Sequence, residues 1–270
     1  FVLGADTAGP NANSNNQDTK TYVAWNWKAG TSFTNDASST GIGTIDSAGS
    51  FNNTAGFSIV SYTGTGSNGT IKHGLSTAPE MYITKSLSSA RSWAVYNQNI
   101  GNTKAVFLNS TDAQDTDATY WNSTSPTSSV LSLGTRSEMN HSGENFIAYC
   151  FAPKQGYSKF GSYAGNGNAD GPFTYTGFKP AFVMIKNTSS GSTKWTMCDN
   201  KRDGFNDNNH RLFANTDDAE STSNPWEMYS NGFKMTTTGS FVNASGSNYI
   251  YMAFAENPLV GSNFVPTTAR

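Results

Sequence analysis

Charge is scarce in this chain: 13% of its 270 residues are Asp, Glu, Lys or Arg, against about a quarter in ordinary soluble domains. Ser, Thr, Asn and Gly must therefore cover most of the surface, a composition of extracellular β-proteins rather than cytosolic enzymes. The net charge is −2 and the basic residues form no stripe, which excludes the clustered Lys and Arg that a nucleic-acid backbone requires. No run reaches the roughly eighteen apolar residues of a membrane-spanning helix, and the N-terminus shows no basic n-region followed by an apolar h-region. No membrane partner is expected. Two cysteines, Cys150 and Cys198, are too few for a disulfide framework and read as unpaired, semi-buried thiols.

Reactive constellations are missing as well. His73, His141 and His210 are scattered, and none stands at metal-ligand spacing from a cysteine or another histidine. There is no Gly-x-Ser-x-Gly elbow, no phosphate-binding glycine loop and no paired-carboxylate arrangement. Catalytic residues, cofactors and metals are all expected to be absent, and the protein is expected not to be an enzyme. The stretch Asp199 to His210 is rich in oxygen ligands, but Lys201 occupies the third ligand position of a calcium loop and no Glu follows at the twelfth, so it reads as a turn-rich loop.

What the chain does contain is 36% hydrophobic and 13% aromatic residues, enough for a packed core, and a near-repetition of itself. Asn145-Phe146-Ile147-Ala148-Tyr149-Cys150-Phe151-Ala152 returns as Asn248-Tyr249-Ile250-Tyr251-Met252-Ala253-Phe254-Ala255, with a third version at Thr21 to Lys28. Ser61-Tyr62-Thr63-Gly64 matches Ser162-Tyr163-Ala164-Gly165, and Ala78-Pro79 with Lys85 matches Lys179-Pro180 with Lys186, all at one constant offset. Trp93 answers Trp195, Asn109 answers Asn215, and Asn140 answers Asn243 after small drifts that place insertions in loops. A period of about a hundred residues is one domain's worth of chain.

Strand and turn signals run nearly throughout. Along Asn145 to Phe151, Phe146, Ala148 and Cys150 fall on one face and Ile147, Tyr149 and Phe151 on the other. Apolar residues on both faces predict a central strand covered on both sides. Ala181 to Lys186 and Glu80 to Lys85 follow prolines and read as strands, and Asn231-Gly232 is a hairpin turn. The expected fold is all-β, in tandem antiparallel β-sandwich repeats of jelly-roll-like form. Residues 1–28 read as the closing hairpin of a truncated preceding repeat, 29–55 as a Gly/Ser/Thr-rich linker, 56–155 and 156–258 as two sandwich repeats, and 259–270 as an extended tail. A lone hairpin is marginal in water, so Tyr22, Val23, Ala24, Trp25 and Trp27 are expected to pair within a longer chain or with a neighbouring subunit.

Sugar recognition needs an aromatic platform beside amides and carboxylates. Tyr120, Trp121, Trp226 and Tyr229, in Asn- and Ser-rich surroundings, are the candidate glycan-facing residues. Trp93 and Trp195 are expected in the core.

The blocks Gly56-Phe57-Ser58-Ile59-Val60-Ser61-Tyr62-Thr63-Gly64, Gly156-Tyr157-Ser158-Lys159-Phe160-Gly161-Ser162-Tyr163, Gly177-Phe178-Lys179-Pro180-Ala181-Phe182-Val183-Met184-Ile185-Lys186 and Tyr251-Met252-Ala253-Phe254-Ala255-Glu256-Asn257-Pro258 resemble an uncharacterised domain. That domain is widespread in virion and tail-fibre-like proteins of marine and freshwater tailed bacteriophages. The resemblance covers residues 56–258 and implies no particular binding residues. It implies a virion or extracellular location and a non-catalytic structural or adhesive role, as a tail fibre or surface decoration. The expected partners are further copies of the chain, other virion subunits and host-surface polysaccharide. The alternative expectation is a subunit of an extracellular filament, joined by strand addition between protomers through the N-terminal hairpin or the tail.

Overall fold

A computed structural model of the chain describes residues 20–202, 206, 210–223 and 225–256. The fold is all-β. An eight-stranded sheet is ordered β1 (Thr31–Asn35), β2 (Ser47–Asn52), β3 (Phe57–Thr63), β10 (Asn145–Phe151), β5 (Met81–Ser86), β6 (Ala94–Asn97), β7 (Lys104–Phe107) and β8 (Asp115–Thr116). A two-stranded sheet pairs β4 (Gly69–Lys72) with β9 (Val130–Leu133). A five-stranded sheet runs β11 (Ser158–Ala164), β18 (Asn248–Ala255), β13 (Pro180–Asn187), β14 (Thr196–Asp199) and β15 (Leu212–Phe213). A three-stranded sheet runs β12 (Phe173–Tyr175), β17 (Gly232–Met235) and β16 (Trp226–Tyr229). The helices α1 (Ala37–Thr40) and α2 (Ser137–Asn140) are single turns.

Three apolar clusters stack these sheets into four layers. The first lies between the two-stranded and eight-stranded sheets, where Ile71, Leu131 and Leu133 meet Tyr62, Tyr82, Phe146 and Ala148. The second lies between the eight- and five-stranded sheets and joins Met81, Ile83, Val95 and Phe151 to Phe182, Met184, Met252 and Phe254. The third lies under the three-stranded sheet, where Trp226, Met228, Phe233 and Met235 meet Val183, Ile185 and Tyr251. The doubly apolar β10 is thereby explained: Phe146, Ala148 and Cys150 enter the first cluster, while Phe151 and Tyr149 pack in the second. Each large apolar side chain buried on such a face contributes about 1.5–3 kcal/mol. Cys150 and Cys198 are buried in different clusters and are not joined in a disulfide, and burial pushes the Cys150 thiol up to about 12.

Strand order at the centre of the large sheet, β3-β10-β5-β6-β7, recurs as β11-β18-β13-β14-β15, and specific bonds recur with it. The Tyr62 hydroxyl donates to the Met139 carbonyl at 2.6 Å, and Tyr163 does the same to Val242 at 2.6 Å. Trp93 N donates to Asn109 Oδ1 at 2.9 Å, and Trp195 N to Asn215 Oδ1 at 2.8 Å. Gly64 and Gly165 both sit where a Cβ would lie 2.3 Å from a carbonyl, of His141 and Ala244 respectively. The two halves are not beads on a string. Trp195 Nε1 donates across to Phe107 O at 2.8 Å, and Thr193 N to Thr111 O at 3.1 Å. Lys186, fully buried, donates to both Thr111 O (3.0 Å) and Thr193 O (2.5 Å).

Two expectations are corrected. Residues 29–55 are not a linker: β1 and β2 add to the edge of β3 in register, Ser47↔Tyr62 through Asn52↔Phe57. Their Ser and Gly content serves close approach, since a Cβ on Gly49 would lie 2.1 Å from Ile59 O. Tyr22, Val23, Ala24, Trp25 and Trp27 do not form a strand. The segment is extended and lays alternate residues on the shared core, with Trp27 5.3 Å from the Phe254 ring and Trp25 5.3 Å from Phe182, while Tyr22 and Ala24 face out. Both tryptophans are partly buried against their own chain. The remainder of the expected hairpin, residues 1–19, and the tail 259–270 lie outside the described residues.

His73 connects this packing to pH. It is fully buried, Leu75 N donates to its Nδ1 at 3.2 Å, and its Nε2 stands 3.1 Å from Thr127 O. That geometry holds a neutral ring protonated on Nε2, and burial pushes its pKa down to about 4 from an ordinary 6.5. The folded value is the lower one, so the stabilisation is complete above pH 6.5 and is lost as pH falls through 4. Its size is about 3 kcal/mol. Melting temperature recorded from pH 7 to 4 should fall less steeply in His73→Gln than in the native chain; parallel curves would refute this.

Candidate functional site

Among the described residues, five large apolar side chains are exposed, and three of them, Phe173 (47%), Tyr175 (58%) and Tyr229 (37%), share the outer face of the three-stranded sheet. The period of two in β12, β16 and β17 explains the placement. Thr174, Phe233, Met235, Trp226 and Met228 point inward, which leaves Phe173, Tyr175, Lys234, Glu227 and Tyr229 outward. Gly232 stands opposite both Tyr175 and Tyr229. A Cβ there would lie 2.8 Å from the tip of the Phe173 ring, so the glycine lets that ring lie across the sheet, 6.1 Å from Tyr229 and at 73° to it.

Polar groups frame the rings. Lys159 Nζ sits 5.2 Å from the centre of the Tyr175 ring and donates to Tyr175 O at 2.8 Å. Lys234 pairs with Asp170, which holds that carboxyl below its ordinary range, and the Tyr229 hydroxyl donates to Glu227. Beside Tyr175 opens a cleft of about 390 Å³ lined by Glu80, Gln98, Lys154, Gln155 and Lys159. Burial raises the Glu80 carboxyl above its ordinary value, and a hydrogen bond from Gln98 partly offsets this. An aromatic plate beside amides, a carboxylate and ammonium groups is the chemistry that binds a sugar ring, by stacking on its apolar face and bonding its hydroxyls.

The sequence-based candidates fare unequally. Tyr229 is on the exposed face. Tyr120, Trp121 and Trp226 are 0% exposed and cannot touch a glycan. Trp121 lies edge-on to Tyr82 (4.9 Å) and Tyr96 (5.7 Å) and donates from Nε1 to Lys104 O at 2.8 Å. The Tyr120 hydroxyl donates to Asp115 at 2.5 Å and its ring lies under Arg136. Trp226 fills the third cluster. The reason is general to this chain: all six tryptophans lie in a core cluster or pack against one, Trp93 and Trp195 among them as expected. Phe173 and Tyr175 were missed. Their signal was the alternation Phe173-Thr174-Tyr175-Thr176, which marks a half-buried strand without saying which row faces out.

Two other places have committed chemistry. Asp199 is buried and accepts from Lys201 N (2.9 Å), Arg202 N (3.1 Å) and Arg202 Nε (2.8 Å), so it closes a turn; the loop to His210 lies partly outside the described residues. A hollow of about 510 Å³ near Leu87 contains Asp36 and Asp46, but Asp36 caps α1 and Asp46 accepts from Ala37 N at 2.8 Å. Among the described residues, no group of three or more His, Cys, Asp or Glu could hold a metal ion.

The family described as "Domain of unknown function (DUF7483)" matches residues 1–258. No curated protein and no solved structure gives a significant match to the chain.

Proposed function

The chain belongs to the DUF7483 family, whose description carries no activity, and we propose from the geometry that it is a non-catalytic structural and adhesive virion module. In this role, as part of a tail fibre or surface decoration, it assembles with further copies and contacts host-surface glycan through Phe173, Tyr175 and Tyr229. The observation that carries this is the concentration of exposed aromatic rings on one rigid sheet face beside a polar cleft. Packing all six tryptophans in or against the core while leaving these three rings exposed is not what packing alone selects. A surface of low charge, rich in Ser, Thr and Asn, suits an extracellular assembly, and the fused double module gives the stiffness a fibre needs. Two recurring halves built on one strand order support descent from a duplicated unit.

Isothermal titration of the purified chain with host-surface polysaccharides tests the adhesive part. Tyr175→Ala should weaken binding about tenfold, because an aromatic contact is worth about 0.5–1.5 kcal/mol beyond its buried area, and Phe173→Ala should weaken it less. Unchanged affinity in the Phe173→Ala, Tyr175→Ala double variant would remove the aromatic face from the function. Mass measurement of the native particle tests assembly: a closed oligomer is expected, and a monomer that cleaves polysaccharide would overturn the proposal as a whole.

A further inference from the structure

The cleft beside Tyr175 is one of two along the same strand. It is lined by β11 at Ser158–Phe160, and a second, of about 370 Å³, is lined by β11 at Ser162–Ala164 together with Lys104, Gln114 and Asn248. The turn after β6 separates them, with Gln98 in the first and Asn99 in the second, where the Asn99 side-chain amide reaches Phe160 O at 3.5 Å. End to end this course follows seven residues of strand, about 20 Å.

Among the described residues β11 is an edge strand. The one strand it pairs with there is β18, apart from a bridge between Ser158 and Lys154, whereas its counterpart β3 pairs with β10 on one side and β2 on the other. Backbone N–H and C=O groups along an edge are left to find partners; Ser158 finds them in Lys154 and Phe160 O in the Asn99 amide, while Ser162–Ala164 line the second cleft. The charge of the course is one-sided. Lys104, Lys154 and Lys159 line it against one carboxylate, Glu80, in a chain whose net charge is −2. Lys104 and Lys154 have no ion-pair partner among the described residues, while Lys194, Lys201 and Lys234 are each paired with a carboxylate.

Building on the adhesive function proposed above, we propose that the two clefts form one track along β11 for an internal stretch of an anionic, carboxylated polysaccharide. Tyr175 stacks a sugar ring at the entrance, and Lys154, Lys159 and Lys104 meet successive carboxylates. The side-chain amides of Gln98, Asn99, Gln114 and Asn248 bond the hydroxyls between them. An extended polymer fits because the lysines are spread over both clefts.

The test is titration of the whole chain with oligouronates of two and six units and with neutral glucans of the same lengths, at low and high salt. The acidic hexamer should bind at least about tenfold more tightly than the acidic dimer or the neutral hexamer, and salt should weaken it. The Lys104→Gln, Lys154→Gln double variant should lose up to about twenty-five-fold affinity and most of the salt dependence, since each exposed ion contact is worth up to about fivefold. Its thermal unfolding should be unchanged. Neutral and acidic hexamers bound equally would overturn the anionic track while leaving the adhesive function standing, and so would a dimer bound as tightly as the hexamer. Failure of every glycan, including the host's own polysaccharide, would remove both. Hydrogen exchange at residues 158–164 already suppressed in the sugar-free assembly would also overturn the track, because a second copy would then fill the edge.

Discussion

Trp121→Ala is expected to lower the unfolding free energy by about 3–5 kcal/mol, the cost of emptying a large aromatic site in a packed core, and Trp226→Ala by a similar amount. Both side chains are fully buried. Trp121 sits against Tyr82 and Tyr96 in the first cluster, and Trp226 fills the third near Phe233. The two differ at the indole nitrogen. Trp121 Nε1 donates to Lys104 O at 2.8 Å, whereas Trp226 Nε1 is buried with no hydrogen-bond partner. Trp121→Phe therefore strands a carbonyl, costing about 1–3 kcal/mol beyond the lost volume, while Trp226→Phe removes an unpaired polar group. Denaturant unfolding should rank Trp121→Phe as the more damaging of the two. The fraction of either alanine variant that remains folded should bind glycan as the native chain does. A Trp121→Ala chain that unfolds like the native one but no longer binds would reverse the assignment of this residue to the core.

The second large effect falls on the buried asparagines Asn140 and Asn243. Asn140 Nδ2 donates to Ser67 O (2.6 Å) and Gly134 O (2.7 Å), and its Oδ1 accepts from Thr65 N at 2.8 Å. Asn243 does the equivalent, with Nδ2 donating to Asn168 O (2.7 Å) and Thr237 O (2.8 Å) and Oδ1 accepting from Asn166 N at 2.9 Å. Each ties the turn after the first strand of its half to the loop before the last one. Asn140→Ala leaves two carbonyls and one N–H without partners, at about 1–3 kcal/mol each where water cannot replace them, so a loss of about 3–5 kcal/mol is expected. Asn140→Asp, nearly the same shape, should also be costly at pH 7, because a carboxylate would face the carbonyls of Ser67 and Gly134. Urea unfolding reads both variants, and an Asp variant as stable as the native chain would show that shape rather than hydrogen bonding makes the site.

Asn140 and Asn243 were legible in the sequence only as matching positions. Their spacing told that they are equivalent, and nothing local told that they are buried, since Asn in a Ser- and Gly-rich stretch is the usual mark of an exposed turn. The same local ambiguity hid β1 and β2. Ser47-Ala48-Gly49-Ser50 has little to bury, and it is a strand because β3 offers a free edge and Gly49 lets the backbone close on Ile59. Fold class was legible because it rests on periodicity. The doubly apolar row of β10 required cover on both sides, and both sides are covered. Which half supplied that cover was not, because packing one sheet against another is a contact between residues far apart in sequence.

The sequence by itself determined an all-β chain, strands buried on both faces, a core that claims Trp93 and Trp195, and two sets of matching positions. These are consequences of side-chain alternation and turn chemistry, which act over a few residues. Only the tertiary structure decided that the halves share one core, that Tyr120, Trp121 and Trp226 lie inside, and that Phe173, Tyr175 and Tyr229 lie outside. An alternating strand has two faces of equal standing until a neighbouring sheet covers one of them. In β12 and β16 the third cluster covered Thr174, Trp226 and Met228, and so left the aromatic rings exposed on the other face.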